Sequence, residues 1–190
     1  MMISRRIQTA SMGILAALAC VAADSGGATV HVGGSVATPM DLTVAQMQQQ
    51  FAADIKAVTY NSKGQPHVFQ CVPLLTVLKA AGVDTNFKMM GGAAPKVKNP
   101  QMRLVVVVSG RDGYTVAFSM AELLPMVGDR TAWVALTEDG EALSANDGPV
   151  RLIVPQDGMP SRGVHEVAGI TVVDAGDFGE LSRAVAATQP

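Results

Sequence analysis

At 190 residues, with 48% hydrophobic and 16% charged positions, the chain has the composition of one folded domain with short accessories, not of a disordered segment. Its formal net charge of −2 offers no basic patch, which excludes an electrostatic nucleic-acid binder. Aromatics make up only 4%, so the core must be aliphatic, and no apolar run reaches the roughly 18–20 residues that cross a bilayer.

The first 23 residues read as an export signal. Arg5 and Arg6 supply the positive region and Met12 to Ala23 a short apolar run of small residues. Val21-Ala22-Ala23 fits a cleavage site before Asp24, whereas Leu18-Ala19-Cys20 has the form of a bacterial lipobox that would make Cys20 a lipidated first residue. Arg5-Arg6 also begins a twin-arginine pattern that Ile7 and Gln8 do not complete. Export predicts a periplasmic protein. Cleavage after Ala23 leaves Cys71 as the one cysteine and no intramolecular disulfide.

Residues 24–29 form a predicted flexible lead-in. Val30, Val32 and Val36 then alternate with polar or small residues as in a strand that Pro39 ends. Thr43 is a predicted N-cap for a helix from Val44 to Phe51. Ile55, Ala57 and Thr59 alternate again, and Asn61-Ser62-Lys63-Gly64 turns the chain back into His67-Val68-Phe69. Pro73 suits a first helical turn, Leu74, Leu75, Val77 and Leu78 give that helix an apolar face, and Gly82 stops it. Residues 84–101 show no period and read as a surface loop.

Leu104 to Val108 is a continuous apolar run, expected to be a strand buried on both faces. Gly110-Arg111-Asp112-Gly113 turns it into Tyr114 to Phe118, and Ser119 caps a short helix carrying Leu123, Leu124 and Val127. Ala132 to Leu136, Val150 to Val154 and Ile170 to Val173 are further strands, and Phe178 to Ala187 a terminal helix within a tail over 175–190. Seven or eight strands interleaved irregularly with three or four short helices give an α+β fold, with a mixed-sheet or barrel-like core over 30–174.

The chain lacks a G-x-S-x-G elbow, a G-x-x-x-x-G-K loop and a G-x-G-x-x-G turn. His165-Glu166 begins a zinc-protease pattern, but Gly169 stands where its second histidine belongs. Arg151 is a charge inside an apolar strand and must have a partner, which could be an anion, a heterocycle edge or a carboxylate such as Asp112 or Asp157. Asp112-Gly113-Tyr114 is first a turn, and Trp133 is the one Trp and either packs or stacks on a flat ligand. The loop from Gln156 to His165, polar and glycine-containing, places Arg162 and His165 after a core strand, where loops commonly bind ligands. Cys71 is either a metal thiolate or a small packing residue between Phe69 and Val72, and packing is the favoured reading.

Three phrases recur in a known order. They are Gln70-Cys71-Val72-Pro73-Leu74-Leu75, Arg111-Asp112-Gly113-Tyr114, and Glu138-Asp139-Gly140-Glu141-Ala142-Leu143 leading to Gly148-Pro149-Val150-Arg151-Leu152-Ile153-Val154-Pro155. In this order they resemble the sulfite-oxidase-like, molybdopterin-binding oxidoreductase domain, over roughly Val30 to Val173. The chain resembles the small exported branch of that superfamily, which includes periplasmic pterin-binding proteins that report to a membrane cyclic-di-GMP enzyme.

The resemblance implies a pterin-type ligand, or molybdopterin itself, contacted by Arg151, Arg162, His165, Asp112, Tyr114, Gln70 and Trp133. It also implies a membrane signalling partner through its periplasmic domain. In the resembling enzymes the metal cysteine lies in a separate arginine-rich segment that this chain lacks, and a lysine that holds the cofactor phosphate is here His165. The resemblance therefore implies ligand binding without catalysis, with a molybdopterin-dependent oxidoreductase, Cys71 as its metal ligand, or a ligand-free interaction module as the alternatives.

Overall fold

A computed structural model describes residues 27–86 and 99–178. The expected export signal, half of the lead-in, the larger part of the 84–101 loop and the terminal helix expected after Phe178 lie outside the described residues.

Among the described residues, ten strands form two five-stranded sheets. The first has the order β2 (Met40–Leu42), β1 (Val30–Gly34), β10 (Val167–Asp174), β5 (Leu104–Gly110), β6 (Thr115–Ser119). All its pairings are antiparallel except β1 with β10, which run parallel from His31 opposite Gly169 to Gly34 opposite Val172. Gly34 has a φ of +84°, and a Cβ there would sit 2.1 Å from the Val172 carbonyl oxygen, so only glycine lets the two strands meet at that point.

The second sheet runs β3 (Lys56–Ser62), β4 (Gln65–Pro73), β7 (Trp133–Glu138), β8 (Glu141–Ala142), with β9 (Arg151–Ile153) also on β7. Lys63 and Gly64 join β3 to β4 with φ of 54° and 83°, the paired positive values of a two-residue hairpin turn.

Short helices sit where their caps predict. Thr43 caps α1 (Val44–Gln50), and the Gln46 side chain returns the bond to the Thr43 N–H at 2.8 Å. Pro73 precedes α2 (Leu74–Ala80), whose Leu74, Val77 and Leu78 are buried. Ser119 caps α3 (Met120–Leu123) reciprocally with Glu122.

One aliphatic core joins the sheets: Val30, Val32, Val106, Val108 and Ile170 from the first meet Val72, Val134, Leu136 and Leu152 from the second. The opposite face of the second sheet carries a smaller cluster of Phe69, Cys71, Ala135 and Ile153. The core is not barrel-like. The sheets face each other without joining, because helices and loops, not continuous strands, carry the chain between them.

Two strand expectations change. In β5 only Val106, Val108 and Gly110 are fully buried and their neighbours are partly exposed, since an antiparallel sheet covers one face and leaves the other toward solvent. The long strand expected over Val150 to Val154 contracts to three residues, although Val150 and Val154 remain buried beside it.

Candidate functional site

The backbone first brings Arg151 and His165 together. Leu152 and Val164 form an isolated antiparallel bridge, donating N–H to carbonyl in both directions at 2.8 and 3.1 Å. Their neighbours Arg151 and His165 consequently lie side by side, although fourteen positions apart, and the segment between them loops out.

Both side chains meet a residue that sequence reasoning did not single out. Asp147 is 2% exposed, and its carboxylate accepts three hydrogen bonds and forms an ion pair with Arg151. On Oδ1 are His165 Nδ1 at 2.6 Å and Arg151 Nη1 at 3.6 Å; on Oδ2 are the Ser144 hydroxyl at 2.7 Å and Lys63 Nζ at 3.2 Å. A turn holds it in place, with the Asp147 and Gly148 N–H groups both donating to the Ser144 carbonyl. Burial alone would raise the Asp147 pKa, but the bonds from Ser144, Lys63 and His165 and the charge of Arg151 outweigh it and hold the group at about 2.

A depressed native pKa means that the folded protein holds this proton less tightly than the unfolded chain. Stability from Asp147 is then complete above its ordinary value of 3.8 and lost as pH falls through about 2. We expect a loss of about 2 kcal/mol across that window, from about 1.4 kcal/mol per pKa unit. Urea unfolding from pH 6 to pH 2 checks it; an Asp147→Asn protein with the same acid slope would remove Asp147 as the cause.

Arg151 is buried as expected, but its partner is neither Asp112 nor Asp157. Asp112 is bound in its own turn and Asp157 is paired with Arg162 and Arg130, whereas Asp147 stands four residues before Arg151 in the chain. Arg151 Nη1 also donates to Ser62 at 3.0 Å, and its guanidinium lies 5.7 Å from the ring centres of both Tyr60 and Phe69. Its Nε is buried with no partner. Lys63 and His165 form the open rim of this cluster, with side chains 74% and 45% exposed.

Arg162 is committed elsewhere. It donates to both oxygens of Asp157 at 2.7 and 2.8 Å and to Glu122 at 3.0 Å, and its guanidinium covers the Phe118 ring at 4.6 Å. These bonds hold the Asp157 carboxyl below its ordinary range, with Arg130 adding a further one at 2.9 Å. The same bonds raise the Arg162 pKa further above its ordinary value. Its fork is thus a clasp that fixes the 156–163 loop to α3, and the expected ligand contact is replaced by an internal one. Arg162→Ala is expected to cost about 2 kcal/mol by the loss of charged hydrogen bonds. Hydrogen exchange in residues 156–163 should accelerate in step, and unchanged protection there would contradict the clasp.

The other expected site residues do not join the Asp147 cluster. The Asp112 carboxylate accepts the Tyr114 N–H at 2.9 Å within the β5–β6 turn, and the Tyr114 hydroxyl donates to the Ser161 carbonyl. Tyr114 therefore braces the same loop as Arg162, and Asp112 holds the turn that presents it. Gln70 is half-buried at a bulge in the β4–β7 pairing, opposite Thr137 and Ala57. Trp133 is half-buried opposite Pro73 and Ile153 and packs on the smaller core cluster. Cys71 is fully buried, and burial pushes its thiol up to about 12. No group of three or more metal-ligating side chains gathers among the described residues.

Comparison with known proteins gives two findings. The sequence matches the family described as "Oxidoreductase molybdopterin binding domain" over residues 19–177. Among solved structures, the chain is similar to the sulfane dehydrogenase SoxCD from Paracoccus pantotrophus, with a TM-score of 0.53 at 19% identity. That match covers 77% of this chain and 38% of the SoxCD chain, so this chain spans well under half of that protein's length. At this identity the likeness establishes the sulfite-oxidase-like fold alone. No curated protein matches the sequence significantly.

Proposed function

The chain belongs to the oxidoreductase molybdopterin binding domain family, and from that premise we propose that it holds a molybdopterin-type cofactor at the Asp147 cluster as a domain of oxidoreductase type. The observation that carries this is the charge balance there. Lys63 and Arg151 meet a single carboxylate, His165 adds a third donor, and Arg151 Nε is buried without a partner. Buried donors normally find acceptors, and a site with more cations than carboxylates suits an anionic, acceptor-rich molecule.

In this reading Arg151 donates to a ring or phosphate oxygen, and Lys63 and His165 close over it from the rim. Asp147 orients all three. Bound molybdopterin would supply redox chemistry through its metal; the chain supplies binding, orientation and fixed charge.

The residues fit the organic part of such a cofactor and not a metal bond to Cys71. Cys71 is fully buried and packed with Phe69, Ala135 and Ile153, so its sulfur presents no open face to a metal. That favours a second reading, a pterin-type ligand held without redox catalysis. In that case the export signal would place the protein in the periplasm, reporting to the periplasmic domain of a membrane signalling partner.

The test is protein purified after native export, with its metal content, absorbance and fluorescence recorded. Molybdenum together with pterin supports the oxidoreductase reading. Fluorescent pterin without molybdenum supports the second. Neither species, and no affinity for added pterins, overturns both. Cys71→Ser is expected to retain whatever is bound while losing about 1–3 kcal/mol of stability through a buried hydroxyl. Loss of molybdenum from an otherwise folded Cys71→Ser protein would restore Cys71 as a ligand.

A further inference from the structure

Sheets that do not close have edges, and an edge strand presents unpaired N–H and C=O groups unless something blunts it. Three of the four strands that end the two sheets are blunted. β2 is three residues long with Asp41 at its centre, β3 begins at Lys56 and turns at Lys63, and β8 is two residues long with Glu141. β6 differs. Its five residues, Thr115-Val116-Ala117-Phe118-Ser119, carry no charge and no proline, and they pair with β5 without a bulge.

The backbone groups that β6 leaves open follow from the ladder. The Gly110 N–H donates to the Tyr114 carbonyl at 2.9 Å, which sets the alternation. Val116 and Phe118 then bond inward to Val108 and Val106, while Thr115 and Ala117 turn their N–H and C=O groups outward. Neither has a further backbone partner among the described residues. Ser119 is closed, because its N–H donates to Glu122 Oε1 at 2.9 Å. Gly113, on the other side, donates its N–H to the Gly110 carbonyl at 3.2 Å. The open edge is thus Thr115 and Ala117, with one donor and one acceptor each.

We propose that β6 pairs antiparallel with the β6 of a second copy of this chain, about a two-fold axis at Val116. That axis sets Thr115 opposite Ala117 of the second copy, so both donors and both acceptors of each edge find partners. An axis at Ala117 would set Thr115 against the closed Ser119, and an axis at Thr115 would set Ala117 against the closed Gly113. The same register places Val116 against its own counterpart and Tyr114 against Phe118 of the second copy, an aromatic cross-strand pair.

An independent observation marks the same region. Six large hydrophobic side chains are exposed among the described residues, and four belong to segments tied to β6. Tyr114 leads into the strand, Met126 and Val127 follow the helix that continues it, and Met159 lies in the loop whose Arg162 covers Phe118. Apolar exposure gathered beside an open edge marks an interaction surface. The strand has no charge to select a partner of opposite sign and none to repel its own copy, so the occupant it fits is itself. Each chain has one such edge, so the pairing closes as a dimer. The inference stands apart from the cofactor reading, since none of these residues belongs to the Asp147 cluster.

Sedimentation velocity of the full exported protein, from micromolar to millimolar concentration, should show monomer giving way to dimer. Two double variants read the register, because residue 115 of one copy faces residue 117 of the other. Thr115→Lys with Ala117→Lys sets lysine against lysine twice and should weaken the dimer at least tenfold. Thr115→Lys with Ala117→Glu sets opposite charges together twice and should keep it. Both positions are exposed, so the urea midpoint of each variant should match the wild type. A monomer at every concentration would overturn the inference and give the edge to another part of the chain or to a different protein. A dimer undiminished in the lysine pair, or equally weakened in both variants, would overturn it by placing the interface or the register elsewhere.

Discussion

Asp147→Ala is expected to lower folding stability by about 3–5 kcal/mol, the cost of stripping the partner from a buried charge. Arg151 is 5% exposed and would keep only Ser62 as a hydrogen-bond partner. The Ser144 hydroxyl and His165 would lose their acceptor, and Lys63 its ion pair. Asp147→Asn separates shape from charge. It keeps an acceptor oxygen and the side-chain volume but not the negative charge, so it should fall between wild type and alanine. Urea unfolding at pH 7 measures the series. A loss below about 1 kcal/mol in the alanine protein would mean that solvent already satisfies Arg151.

Arg151→Ala should cost about 2–4 kcal/mol, for a different reason, and on the cofactor reading proposed above it should reduce affinity for a pterin-type ligand at least tenfold. Asp147 would keep Ser144, Lys63 and His165, so its charge stays compensated. What is lost is the packed stem of Arg151 and its stacking between Tyr60 and Phe69. Arg151→Met tests this division, because it refills the volume without the fork. Stability should largely return and binding should not. A methionine protein that recovers affinity would refute Arg151 as a ligand donor. Combining Asp147→Ala with Arg151→Met should cost less than the two single losses summed, since no buried charge is then left alone.

The fold was largely legible because its signals are local. Thr43 with Gln46, Ser119 with Glu122, the Lys63-Gly64 turn and the apolar spacing of Leu74, Val77 and Leu78 each specify a conformation without outside help. The failures were of reach. A run of apolar residues at 104–108 states that a strand is buried but not on how many faces, which depends on the sheet it joins. The same is true of closure: nothing in ten short strands records whether the outermost ones meet.

The site was legible by half. Arg151 announced itself, as a charge in an apolar strand must, and the polar loop after it pointed to His165. Asp147 was hidden because Asn146-Asp147-Gly148 reads as ordinary turn chemistry. Only the Leu152–Val164 bridge and the reach of Lys63 from 84 residues away turn that aspartate into a centre. Arg162 misled for the complementary reason. A sequence shows that an arginine is present in a loop, and not that Asp157 and Glu122 have already taken its donors.

The position of β10 has a consequence for how the molecule comes into being. This strand comes last in chain order among the described strands, yet it lies in the middle of the first sheet, with β1 on one side and β5 on the other. Until Val167–Asp174 is available, β1 with β2 and β5 with β6 are two separate hairpins with open edges. Pairs such as Val32 with Ile170 join residues nearly the full length of the domain apart, the kind of contact that slows folding. A chain that has not yet reached Val167–Asp174 therefore cannot complete this sheet, because the strand that joins its two halves is the last of its five to be made.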